Sequence, residues 1–96
     1  MKNNELQYDL NNILTVLSKI DSKERTFEFL LDLMTEKEML EFSRRFDVAK
    51  MLDEWISYSR IEKKTGMSST TIARVSKALN GENMGYKNGI NIVWGF

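Results

Sequence analysis

The stretch that decides the fold is Ser57-Tyr58-Ser59-Arg60-Ile61-Glu62-Lys63-Lys64-Thr65-Gly66-Met67-Ser68-Ser69-Thr70-Thr71-Ile72-Ala73-Arg74-Val75-Ser76-Lys77-Ala78-Leu79. Ser59 and Glu62 stand at the spacing of a capping box, which predicts the start of a helix of two turns. Gly66 should end that helix, because glycine adopts the left-handed conformation beyond a helix end at little cost. Ser68 or Ser69 then caps a longer helix running to about Leu79, and Asn80-Gly81 closes it. Two helices joined by three or four residues that include glycine form the helix-turn-helix pattern.

The apolar spacing within this run is consistent with that pattern. Ile61 faces inward from the first helix, Met67 sits in the turn, and Ile72, Val75 and Leu79 recur at steps of three and four. Together they predict a small wedge that fixes the angle between the helices. The opposite face of the second helix carries Ser69, Thr70, Thr71, Arg74 and Lys77. Hydroxyls and cations near a helix N-terminus suit a duplex groove: the amides and basic side chains hold phosphates, while arginine and threonine can address base edges. The expected DNA-binding residues are Lys63, Lys64, Ser68, Ser69, Thr70, Thr71, Arg74 and Lys77. A polar helix face is more often plain solvated surface, so the expectation rests on caps, turn, wedge and charge acting together.

The 96 residues have a formal net charge of zero, but the charge is unevenly placed. Between Arg60 and Lys77 five cations face one anion, a net +4, whereas residues 1–59 hold eight cations against twelve anions. A basic end and an acidic end would orient the molecule on a polyanion. The chain has no cysteine and no histidine, which removes disulfides, thiol and imidazole chemistry and the usual zinc ligands. Its carboxylates are scattered and no glycine-rich phosphate loop is present, so neither an enzyme nor a cofactor or metal site is expected. No apolar run is long enough to span a bilayer and no basic-then-apolar segment opens the chain, so a cytoplasmic location is expected.

Upstream, proline is absent and no glycine occurs before Gly66, which predicts helices joined by short turns. Leu6, Leu10, Ile13, Leu14 and Leu17 make one stripe on a first helix of about Asn4 to Lys19. Asp21 and Ser22 offer caps to a second helix bearing Phe27, Leu30, Leu31 and Met34. Thr35-Glu36-Lys37-Glu38 is a capping box that should start the longest helix, about Glu36 to Trp55. Its apolar residues cover more than one stripe. Such a helix is either the central core of a monomer or is gripped by two copies of the chain, and a chain this short gains from pairing.

From about Leu30 to Leu79 the sequence resembles the Trp repressor family, and most closely its YerC/YecD subgroup of small Trp-repressor-like proteins. The resemblance is carried by Phe29-Leu30-Leu31-Asp32-Leu33-Met34-Thr35-Glu36-Lys37-Glu38, by Ser43-Arg44-Arg45-Phe46, and by Ile61 through Leu79 with Gly66, Thr71-Ile72, Arg74, Ser76 and Leu79. It implies an all-α, multi-helix fold assembled as an intertwined homodimer, with two reading heads entering successive major grooves of double-stranded DNA. The implied role is transcriptional regulation, as a repressor. In the family's founding member two arginines flank a bound tryptophan, and Arg44 and Arg74 are matched to them as effector-binding residues. Ala73, Val75 and Ala78 replace a threonine, a glycine and a serine there, so tryptophan is not expected as the effector. Without it, Arg44 would face Glu41 or Asp47, and Arg74 would contact DNA.

Residues 1–82 are therefore expected to form a helical DNA-binding domain with the helix-turn-helix at about 57–79. The tail, 83–96, departs from the family's final helix: Asn88-Gly89 is a turn signal, and Ile90, Ile92 and Trp94 alternate with Asn91 and Val93. That pattern fits an extended segment docking its aromatics or a flexible end. A competing functional reading keeps the helix-turn-helix as a scaffold in a helical protein-interaction or adaptor module.

Overall fold

The computed structural model describes residues 4–95, and every regular element among them is a helix. In chain order these are α1 (Asn4–Asp9), α2 (Asn11–Lys19), α3 (Lys23–Leu33), α4 (Glu36–Asp53), α5 (Tyr58–Thr65), α6 (Ser69–Leu79) and α7 (Gly85–Trp94). No helix among the described residues is long and apolar enough to cross a membrane. The chain divides into two compact units, Met1–Glu36 and Lys37–Phe96. Helix α7 packs on α6 within the second unit.

In the first unit the single helix expected from Asn4 to Lys19 is two helices meeting at Leu10, whose φ −93° and ψ 4° fall outside helical values. The hydrogen-bond ladder nevertheless continues, from Leu10 N to Leu6 O and from Leu14 N to Leu10 O. Ser22 caps α3, its hydroxyl accepting from Arg25 N. None of α1, α2 or α3 has a buried residue, although each of the latter two is amphipathic.

The second unit holds the core. Val48 and Ala49 of α4, Ile61 of α5, Ile72, Val75 and Leu79 of α6, and Ile90 of α7 form one buried cluster. Full burial of a side chain of this kind contributes about 1.5–3 kcal/mol. Phe46, Met51, Leu52, Ile56, Met67 and Tyr86 pack around it, half-buried. Thus the wedge expected from Ile61, Met67, Ile72, Val75 and Leu79 forms, and α4 and α7 close it.

Helix α4 stops at Asp53 rather than Trp55 because the chain turns back on itself there. Ile56 N bonds Met51 O and Trp55 N bonds Leu52 O, the paired bonds of a Schellman cap. The cap demands a left-handed residue, and Trp55 supplies it with φ 63° while its side chain stays 93% exposed. Met51 and Ile56, joined by the cap, both pack on the core.

The tail 83–96 is neither extended nor flexible over its described residues: Gly85–Trp94 is helical. The alternation of Ile90, Ile92 and Trp94 hid a second period, in which Tyr86, Ile90 and Trp94 recur every four residues and face α4 and the core. Trp94 stacks on Phe46 at 5.7 Å between ring centroids, and Lys50 Nζ lies 5.0 Å over the Trp94 ring while pairing with Glu54 at 2.9 Å. Gly89, read as a turn residue, instead lets α7 approach: a Cβ there would come within 3.1 Å of the Phe46 ring. The helix begins after Met84, held left-handed at φ 64° with no side-chain cap, so no capping residue announced it.

Because a left-handed L-residue costs about 1–2 kcal/mol and glycine returns part of that in chain entropy, Trp55→Gly should raise unfolding free energy by about 0.5–1 kcal/mol. Chemical denaturation at fixed protein concentration checks this; a loss of stability would mean that the indole packs on something.

Candidate nucleic-acid interface

Helices α5 and α6 are joined by a short turn held by local hydrogen bonds. Ser57, not Ser59, caps α5: its hydroxyl accepts from Arg60 N, and Ser59 Oγ lies 3.5 Å from it. The capping box expected from Ser59 and Glu62 does not form: the N-cap lies two residues earlier, at Ser57, which leaves the turn at Trp55 in the extended conformation a cap needs. Gly66 ends α5 at φ 72°, with its amide on Glu62 O. Thr65, unnoticed in the sequence, fastens the turn: its hydroxyl donates to Ile61 O at 2.7 Å and accepts from Met67 N at 3.1 Å. Any Thr in a last helical turn can do this, so no distinctive signal marked it.

Of the two serines available, Ser68 caps α6, accepting from Thr71 N at 3.2 Å, and its hydroxyl donates to Thr71 Oγ1 at 3.1 Å. Ser68 and Thr71 are thereby engaged with each other, and Thr71 is half-buried. Ser69, Thr70, Arg74 and Lys77 remain exposed and line one open groove of about 570 Å³ together with Ala73 and Tyr58. Lys63 and Lys64 are exposed in the last turn of α5 and do not line that groove. They sit where cations also favour the negative end of the helix dipole. The expected set therefore separates into four side chains sharing a groove, two exposed cations at the end of α5 and two hydroxyls that build the helix start.

A smaller cleft of about 260 Å³ lies on the other side of Arg74, lined by Glu41, Arg45, Thr71, Arg74, Val75 and Tyr86. Arg45, rather than Arg44, shares it with Arg74. Successive residues of a helix point about 100° apart, so the neighbouring arginine is turned away, and Arg44 is exposed outside this cleft. Val75 is buried at the cleft wall, and Ala73 belongs to the open groove. Tyr86 enters from α7, which the tail's reading as non-helical had concealed.

An exposed, cationic, hydroxyl-bearing face on a capped helix, braced by a second helix through a glycine turn, defines a helix-turn-helix protein of all-helical architecture. Residues 8–92 match the Trp repressor protein family. The chain is 34% identical over 93 residues to the uncharacterized protein YerC of Bacillus subtilis (strain 168), covering 97% of this chain and 86% of YerC. Among solved structures, it resembles a TrpR-like protein from Eubacterium eligens at 35% identity and a TM-score of 0.87, covering 95% of each chain. A Staphylococcus aureus protein assigned as a Trp repressor is similar at 29% identity and the same TM-score, covering 97% of this chain and 94% of that one. The chain belongs to the Trp repressor family.

The division of labour among the hydroxyls is testable by stability alone. Ser68→Ala should cost about 1 kcal/mol of unfolding free energy, whereas Ser69→Ala should stay within about 0.5 kcal/mol of the parent. Equal effects in thermal or denaturant unfolding would contradict the assignment of Ser68 as the cap.

Proposed function

We propose that this protein is a sequence-specific, DNA-binding transcriptional regulator, acting as a cytoplasmic homodimeric repressor, with α6 as the helix that enters the major groove. The observation that carries the reading is the groove in which Ser69, Thr70, Arg74 and Lys77 stand together on the exposed face of α6. The first amides of α6 and the Ser69 hydroxyl suit phosphate oxygens, and Arg74 and Thr70 suit base edges. Lys63 and Lys64 extend the cationic surface to the flanking backbone.

The dimer reading is supported by what the single chain leaves uncovered. Leu6 on α1, Leu10 at the junction, Leu14 and Leu17 on α2, and Phe27, Leu31 and Leu33 on α3 are all exposed, as are Leu40 and Phe42 of α4. Helices of six to eleven residues with no buried side chain are not stable alone in water. A second copy that covers these stripes supplies the missing core, and a two-fold pair of α6 helices matches the two-fold symmetry of an operator. An effector that binds beside Arg74 would meet Arg45 and Tyr86, with Val75 at the wall, and the replacements Ala73, Val75 and Ala78 argue against tryptophan.

Binding to a cognate duplex should fall steeply with salt, as each cation that neutralises a phosphate adds about 0.9 to the slope of log K against log salt. Arg74→Ala and Lys77→Ala should each weaken binding and together flatten that slope by roughly one to two units per protomer. Unchanged affinity and slope in fluorescence anisotropy would remove α6 from the interface and favour the adaptor reading.

A further inference from the structure

Tyr58 stands apart from the other residues of the open groove because it comes from a different helix. It opens α5, one residue after the Ser57 cap, yet its side chain lines the groove beside Ser69, Thr70, Ala73, Arg74 and Lys77 of α6. Its ring is not in the buried cluster and is 41% exposed, so folding of the core does not account for its position. Tyr58 also lines a second cleft, of about 340 Å³, with Trp55, Ser76 and Lys87. Tyr58 thus borders two surface depressions, one of them shallow and carrying the hydroxyl and cationic face of α6. A phenol there offers what the α6 side chains lack: a flat apolar face that can lie along a sugar, and a neutral donor at the end of a stiff ring.

We infer that Tyr58 is a DNA-contacting residue, its hydroxyl donating to a phosphate oxygen at the edge of the groove that α6 enters and its ring packing along the adjoining sugar. This rests on the reading of α6 as the DNA-entering helix. Tyr58 fixes the lateral position of α6 across the groove, with Arg74 and Lys77 setting the depth. Because the side chain is neutral, its contact releases no counterion. Its loss therefore lowers affinity without altering the dependence on salt, unlike the loss of a lysine or arginine.

The test uses the full chain and a duplex recovered by selection from a random pool, with binding measured at several salt concentrations and thermal unfolding measured in parallel. Tyr58→Phe removes only the hydroxyl and should weaken binding about tenfold, in line with loss of a hydrogen bond to a charged group. Tyr58→Ala should weaken it further. Both should keep the parental salt slope, and Tyr58→Phe the parental melting temperature. Parental affinity in both variants overturns the inference while leaving α6 in place. A salt slope reduced by about one unit also overturns it, since that is the signature of a lost cation contact. If the parent protein selects no duplex at all, the reading of α6 fails first, and the inference with it.

Discussion

The structure depends on one packing constraint, the seating of Ile72, Val75 and Leu79 of α6 against Ile61 of α5 and Val48 and Ala49 of α4. These residues occupy one side of α6, so burying them determines that Ser69, Thr70, Arg74 and Lys77 face outward. The exposed hydroxyl-bearing and cationic face is thus a consequence of the core rather than a separate device. Because the cluster contains only branched aliphatics and alanine, it has few alternative packings, and the interhelical angle that presents α6 is correspondingly well defined.

Around that constraint the polar groups divide by role. Ser57, Ser68 and Thr65 spend their hydroxyls on helix starts and on the turn, satisfying backbone groups that would otherwise lack partners. What stays exposed on α6 is free to meet an external partner. The same economy explains α7: Phe46 and Lys50, one turn apart on α4, hold Trp94, and Gly89 gives the ring of Phe46 room. Among the described residues of the first unit, α1, α2 and α3 have no buried side chain.

Much of this was legible from residue types because the signals were local and mutually consistent. Gly66, Ser68, Ser22 and the three-and-four spacing of Ile72, Val75 and Leu79 each state a requirement that the backbone or core must meet. The errors arose where a distant contact decided the outcome. Gly89 read as a turn because nothing nearby in sequence shows that Phe46 lies against it. Trp55 read as a helical core residue because only the Schellman bonds reveal its left-handed position. Arg45, not Arg44, lines the cleft beside Arg74, and a single residue on a helix is a rotation large enough to change faces. Tyr58 carried no signal, since its place beside α6 depends on the angle between two helices.

The central claim, that two copies of this chain present a pair of α6 helices to DNA, is tested most directly by sequencing the duplexes that the protein retains from a random pool. The account predicts a two-fold symmetric motif whose half-sites are centred about one helical turn, roughly 10 base pairs, apart or a multiple of it. Recovery of no enriched motif, or of a single asymmetric half-site bound by one protomer, would contradict it.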